Sequence, residues 1–284
     1  MNQPQCVRIG PAGWSYKDWE GTVYPPSPGK GFDQLAFIAE LFDTVEVNSS
    51  FYRTPPPTHS TSWLRRTSQN PDFRFTTKLF RGFTHEKELP AAEEARAFRR
   101  YLDPFQEDNR FGALLIQFPW SFRDGPEARQ RLETVFDLFA GYPKVVEVRH
   151  ASFAQEDFLR FLEDHEAGIA AIDQPIFHDS IRPEGVASGG TAYIRFHGRN
   201  YEKWWNHQES WERYDYLYSP EELEPWVERI GSMAESRDTY VITNNHFRGQ
   251  AVVNAIDLKK SLGQPVRIPE TLLEVFAERG IGKE

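Results

Sequence analysis

Cysteine is nearly absent from this chain: its 284 residues contain one, Cys6. A single thiol excludes an intrachain disulfide framework and suits a reducing compartment, so a cytoplasmic location is expected. No apolar run approaches the ~18–20 residues of a membrane-spanning helix. The opening MNQPQCVRIG also lacks the charged and then apolar regions of a signal peptide, so no membrane partner is expected. Basic charge is in deficit. Thirty-three Lys and Arg face 42 Asp and Glu, a net charge of −9. That is the wrong sign for a chain that holds nucleic acid mainly by neutralising phosphates. No G-x-G-x-x-G follows the first apolar run, which counts against a dinucleotide fold. No H-x-H or H-x-x-x-H pair announces a metal site.

What is present is apolar and aromatic. Hydrophobic residues make up 39% and Phe, Trp and Tyr 14%, enough for a large core rather than a disordered chain. Short runs rich in Val, Ile and Phe alternate with longer segments of helical period. The runs are VRIGPAGW (7–14), TVEVNSSFY (44–52), FRFTTKLF (73–80), FGALLIQFP (111–119), KVVEVRH (144–150), GIAAIDQP (168–175), TAYIRFHG (191–198) and TYVITNN (239–245). Helices are expected between them. Pro126 marks one start, and Ser219 with Glu222 forms a capping box at another. The segment after the sixth run, FHDSIRPEGVASGG, does not read as a helix. Strands alternating with helices imply a parallel sheet, and about eight units in this length imply one (β/α)8 TIM-type barrel spanning residues 1–284. An aromatic-rich loop at about 199–218 interrupts the pattern as a rim-covering mini-core or a lid.

The polar residues inside these strands are the functional signal. If helices cover the outside of a barrel, a polar strand residue points into the lumen or sits at its mouth. The candidates are Glu46, Asn48 and Ser50; Thr76 and Lys78; Gln117; Glu147 and Arg149; Asp173; Arg195 and His197; and Asn244 or Asn245, depending on phase. Most lie late in their strands, and barrel active sites are built at that end. Buried charge costs free energy unless paired, so the set implies either a binding site or a closed ion-pair network.

The motifs GPAGWSYKDWEGTVYP, FDTVEVNSSFYRTP, FRFTTKLFRGFTH, VVEVRHASF, YIRFHGRN, RYDYLYSPEEL and VITNNHFRGQAVVNA together resemble the YecE-like family, domain-of-unknown-function family number seventy-two. The resemblance spans most of the chain and implies a TIM-type barrel in a cytosolic protein, with no established reaction. The matching positions are Trp14, Glu46, Asn48, Ser50, Phe51, Tyr52, Lys78, Glu147, Arg149, His150, Arg195, His197, Gly198, Asn244, Asn245 and Gly249.

Three chemistries fit the constellation. An anionic ligand would find Arg199 and Arg248 in the loops after strands seven and eight, beside Gly198 and Gly249. Acid–base or glycosidic chemistry would use Glu46 or Glu147 as base and His197 as acid. Lys78, Arg149 and Arg195 would then hold the anion, with Trp14 and Tyr52 as a wall. A divalent metal would use Glu46, Glu147 and Asp173 with His197, but three cations in the same lumen oppose it. The expectation is therefore an enzyme of hydrolase or isomerase type for a small anionic or sugar-like ligand, without a cofactor and without nucleic acid. A ligand-binding barrel without turnover and a metal-dependent phosphoester or nucleic-acid hydrolase are the alternatives.

Overall fold

The computed structural model describes residues 6–182 and 190–278. Eight strands form one parallel sheet: β1 Val7–Pro11, β2 Thr44–Val47, β3 Arg74–Lys78, β4 Phe111–Gln117, β5 Lys144–Glu147, β6 Ala167–Asp173, β7 Thr191–Phe196 and β8 Asp238–Thr243. They lie in the order β1-β8-β7-β6-β5-β4-β3-β2, so sequence neighbours pair all the way round and β1 closes on β8. The remaining seam, between β1 and β2, is a single parallel bridge, Ala12 to Glu46. The Gly13 N–H donates to the Glu46 carbonyl at 2.8 Å there, and the Asp43 N–H donates to Ile9. The barrel expected from the alternation is thus present and nearly closed.

Helices α1 Gln34–Leu41, α2 Pro57–Arg66, α3 Ala92–Glu107, α4 Pro126–Leu138, α5 Glu156–Asp164, α6 Pro220–Ala234, α7 Gln250–Ser261 and α8 Leu273–Glu278 lie outside. Their starts follow the local chemistry. Asp33 caps α1 by accepting from the Leu35 and Ala36 amides. Pro126 occupies the first turn of α4, and Ser219 and Glu222 make the reciprocal capping box of α6. Pro225 lies within an α6 that continues unbroken to Ala234. No helix joins β6 to β7 among the described residues, as the sequence there implied.

Two apolar layers result. The outer one lies between strands and helices and is rich in Phe, as at Phe75, Phe98, Phe105, Phe136 and Phe139. The inner one fills the lower lumen with Ala113, Leu115, Val145, Ala170, Ile172, Tyr193, Tyr240 and Ile242. The pairing of β3 with β4 steps by one residue between Phe75 and Thr76, leaving Gly112 as the extra residue. A Cβ on Gly112 would stand 2.7 Å from the Tyr240 ring, so the absence of a side chain there makes room for that ring. Gly10 is under a harder constraint. A Cβ there would sit 1.8 Å from the Thr44 carbonyl oxygen, at the tightest point of the seam. Gly10→Ala is therefore expected to destabilise the fold by about 3 kcal/mol, because backbone must move rather than a side chain. Urea denaturation of the variant measures this, and a loss below about 0.5 kcal/mol would contradict the close approach.

Candidate active site at the C-terminal mouth of the barrel

Parallel register decides which late-strand residues share the lumen. Ile172 of β6 stands beside Arg195 of β7, and Arg195 beside Ile242 of β8. Arg195 therefore points inward in the row of Ile172 and Ile242. Gln117 and Glu147 are register partners on β4 and β5 in the same way. Glu46, Lys78, Gln117, Glu147, Arg149, Arg195, His197 and Asn244 converge, as expected. Asn48 and Ser50 lie past the end of β2, in a 3-10 turn. Ser50 donates to the carbonyls of Val47 and Lys78 and so ties that turn to β3.

The floor is a closed charge network. Arg195 is almost fully buried between two carboxylates with no exposure. Its Nε and Nη2 donate to Glu46 at 2.9 and 2.6 Å, and its Nη1 donates to Glu147 at 2.5 Å. Arg149 donates to the other oxygen of Glu147 at 2.8 Å. Tyr193 donates its hydroxyl proton to Glu46 at 2.9 Å. Two carboxylates thus face two guanidiniums. Burial alone would raise the Glu147 carboxyl, but Arg195, His197 and Arg149 outweigh it and hold it well below its usual 4.5. His197 lies 3.3 Å from Arg195 and accepts at Nδ1 from the Asn244 amide. Burial, with Arg195 beside it, lowers His197 to about 3, so its ring is neutral near pH 7. It is therefore not an imidazolium near pH 7, the form in which a near-neutral proton donor acts.

Above this floor opens a pocket of ≈ 360 Å³, at the small end of metabolite sites. Its walls include Trp14, Tyr16, Asn48, Phe51, Tyr52 and Gln117. Tyr16 stacks on His246 at 4.5 Å with rings 7° apart. Tyr52 is 71% exposed at the lip. The aromatic loop after β7 divides its labour. Trp204 and Tyr218 are buried as a mini-core, Tyr214 lines the pocket, and Tyr201 and Trp205 face solvent.

Lys78 stands apart from the other charges. Its Nζ lies 3.8 Å above the Phe51 ring and, among the described residues, makes no ion pair or hydrogen bond. Burial, with Arg195 as the next cause, lowers its ammonium from 10.5 to about 7. It lines the pocket and is the one charge the floor leaves over.

Several expected contacts are elsewhere. Asp173 shares its register row with Phe196, whose side chain belongs to the outer core, so Asp173 faces the helices. It accepts two bonds from Arg199, one from the Tyr218 hydroxyl at 2.7 Å and one from the Trp226 indole at 2.8 Å. The trio Glu46, Glu147 and Asp173 therefore does not assemble, and no cluster of three metal-ligating side chains occurs among the described residues. Arg199 is held by Asp173 and Glu222 rather than offered to an anion. Asn245 points outward to the Tyr216 carbonyl and Asn254, because Thr243 pairs with Phe196 and only Asn244 falls on the lumen phase. Arg248 is exposed beside the Phe247 ring, away from the pocket. Gly198 and Gly249 have φ of +89° and +79°, and an added Cβ would collide with Tyr216 and Val23 respectively. They serve chain packing, not close approach of a ligand.

Asp173→Ala is expected to cost about 2–3 kcal/mol, because the buried Trp226 indole loses its acceptor and Arg199 keeps only its longer contact with Glu222. Because the network is outside the lumen, ligand affinity per folded molecule stays unchanged. Denaturation and titration of the same variant check both halves.

Among the residues that the strand reading passed over, Tyr193 carried a legible signal. It lies two before Arg195 in TAYIRFHG, on the same face. Tyr214 and His246 come from loops, where no period exists to betray them.

Comparison with known proteins agrees with this architecture. Residues 8–274 match the profile of a family described as "Protein of unknown function DUF72". The chain is 27% identical over 264 residues to the UPF0759 protein YunF of Bacillus subtilis (strain 168), covering 87% of this chain and 92% of that one. It is 28% identical over 149 residues to the UPF0759 protein YecE of Escherichia coli (strain K12), about half of each chain. Among solved structures, a DUF72 family protein from Thermotoga maritima MSB8 superposes with a TM-score of 0.79 at 34% identity, covering 91% of this chain and 99% of that one. One from Enterococcus faecalis V583 gives 0.80 at 24% identity, covering 92% and 97%, a likeness of fold.

Proposed function

Since the chain belongs to the DUF72 family, whose description names no activity, we propose from the site itself an isomerase- or hydrolase-type enzyme for a small anionic or sugar-like metabolite, with Lys78 as its reacting group. The carrying observation is the lone amine. Every other charge in the floor is neutralised by a partner, while Lys78 has no ion pair or hydrogen bond among the described residues and is held to about 7 by burial and Arg195. A group poised there carries protons efficiently near neutral pH. Arg149, at the pocket edge, adds a planar donor for a carboxylate or phosphate.

The paired-carboxylate alternative is weaker. A glycosidase needs one carboxyl kept protonated, and here both share one guanidinium, with Glu147 held well below its ordinary value. A thermal-shift panel of sugar phosphates, hydroxy acids and free sugars tests the reading. Compounds that bind raise Tm by mass action. The expected result is that such shifts vanish in Trp14→Ala and shrink in Arg149→Ala. Shifts equal to wild type in both variants would place the ligand elsewhere and overturn the reading.

A further inference from the structure

The pocket's only unpartnered charged group among the described residues is also a primary amine, which gives it a second capacity. Resting on the reading above, we propose that Lys78 forms an imine with its substrate, and that the substrate class is therefore small aldehydes and ketones bearing a hydroxyl, carboxylate or phosphate. Four placements support it. Lys78 ends β3, so its Nζ reaches the C-terminal mouth. It lines an open ≈ 360 Å³ pocket, large enough for a short sugar phosphate. Among the described residues no carboxylate pairs with the amine, so its lone pair has no competing partner there once the proton leaves. The Phe51 ring lies 3.8 Å from the amine and lines the same pocket, so an apolar face stands where a carboxylate would hold the proton.

The charged and titratable groups around the amine are Glu46 from β2, His85 after β3, Glu147 and Arg149 from β5 and beyond, and Arg195 from β7. His85 is lowered to about 4 by burial and Lys78, so it adds no positive charge near pH 7. With the two carboxylates taken by the two guanidiniums, the surroundings offer the amine no net negative charge to keep it protonated.

The step balances without an outside reagent. The neutral Nζ attacks the carbonyl carbon and a C–N bond forms. The carbonyl π pair goes to oxygen, which takes up the nitrogen's proton. The nitrogen lone pair then expels that oxygen as water, with a proton taken from solvent, and the proton left on nitrogen makes the product an iminium, C=NH+. The positively charged iminium draws electrons from the neighbouring carbon, so a proton there becomes removable, which is the demand of an isomerase acting beside a carbonyl.

The test is reductive trapping on the intact protein. Wild type is incubated with glyceraldehyde 3-phosphate or pyruvate at pH 7, treated with borohydride, and mapped by peptide mass. Hydride adds to the imine carbon and fixes a secondary amine. The expected result is labelling of Lys78 about tenfold or more faster than the exposed Lys17, Lys30 and Lys87. Labelling should rise with pH to a half-maximum near 7, and no adduct should form at that position in Lys78→Met or Lys78→Arg. Lys78 labelling no faster than Lys17 and Lys30 overturns the imine. A Tm rise with glycerol 3-phosphate, which has no carbonyl, would then leave the proposed function standing. Loss of both the label and the shift removes the two together.

Discussion

Arg195→Met is expected to lose about 3–5 kcal/mol of stability at pH 7. The guanidinium lies between Glu46 and Glu147, both fully buried, and satisfies three of their four carboxylate oxygens. Removing it leaves two like charges in the lumen, with Tyr193 still donating to Glu46, and Arg149 and the nearby His197 ring left to Glu147. The pH dependence has a definite sign. In wild type the folded Glu147 pKa is depressed, so its contribution is present above about 4.5 and is lost as pH falls through the folded value. In the variant Glu147 loses the largest charge opposing its burial, so its protonated form becomes easier to reach and the penalty grows as pH rises. The gap between the proteins therefore narrows from pH 7 toward pH 4.5. Adding Glu46→Gln and Glu147→Gln to the variant should restore most of the loss, since the uncompensated charges are gone. Urea denaturation at pH 7 and pH 5 measures all of this. A gap under about 1 kcal/mol at pH 7 would show that the ion cluster does not hold the floor.

Lys78→Met should divide function from stability. On the ligand that the thermal-shift panel returns, turnover is expected to fall by about 10^2–10^4-fold, the usual weight of one proton-transfer group. Stability should rise at pH 6. The folded pKa of about 7 lies below the unfolded 10.5, so the unfolded chain binds more protons between those values and wild-type stability climbs with pH across that window. The cost of Lys78 is fully present at and below pH 7, and it disappears toward pH 10.5. Methionine has no such cost, so its advantage is largest at pH 6 and smaller at pH 9. A variant less stable than wild type at pH 6 would mean that the amine has a favourable partner in the fold.

Much of this was legible in the order of residues. Eight apolar runs and their intervening helical periods gave the barrel, and strand alternation gave Glu46, Lys78, Glu147, Arg195 and His197 a common interior. Asp173 escaped because GIAAID is apolar on both faces, so no period-2 contrast sets its phase. Asn244 and Asn245 are adjacent and identical, and only the pairing of Thr243 with Phe196 separates their faces. Arg199 looked free because its partner lies 26 positions earlier, on another strand. The isolation of Lys78 is likewise invisible in sequence. It is a statement about every neighbour in space, and the residues that hold Glu46 and Glu147 away from it come from β5, β7 and the turn beyond.

One residue serves both the wall and the floor. The main chain of Glu46 receives Gly13 across the shortest seam of the sheet, while its carboxylate anchors Arg195 beneath the pocket. The first βα unit is thus stitched to the rest by the same position that anchors the charged floor of the pocket. If a ligand binds above Arg195, solvent exchange of the Gly13 amide is expected to slow, because whatever steadies Arg195 also steadies Glu46.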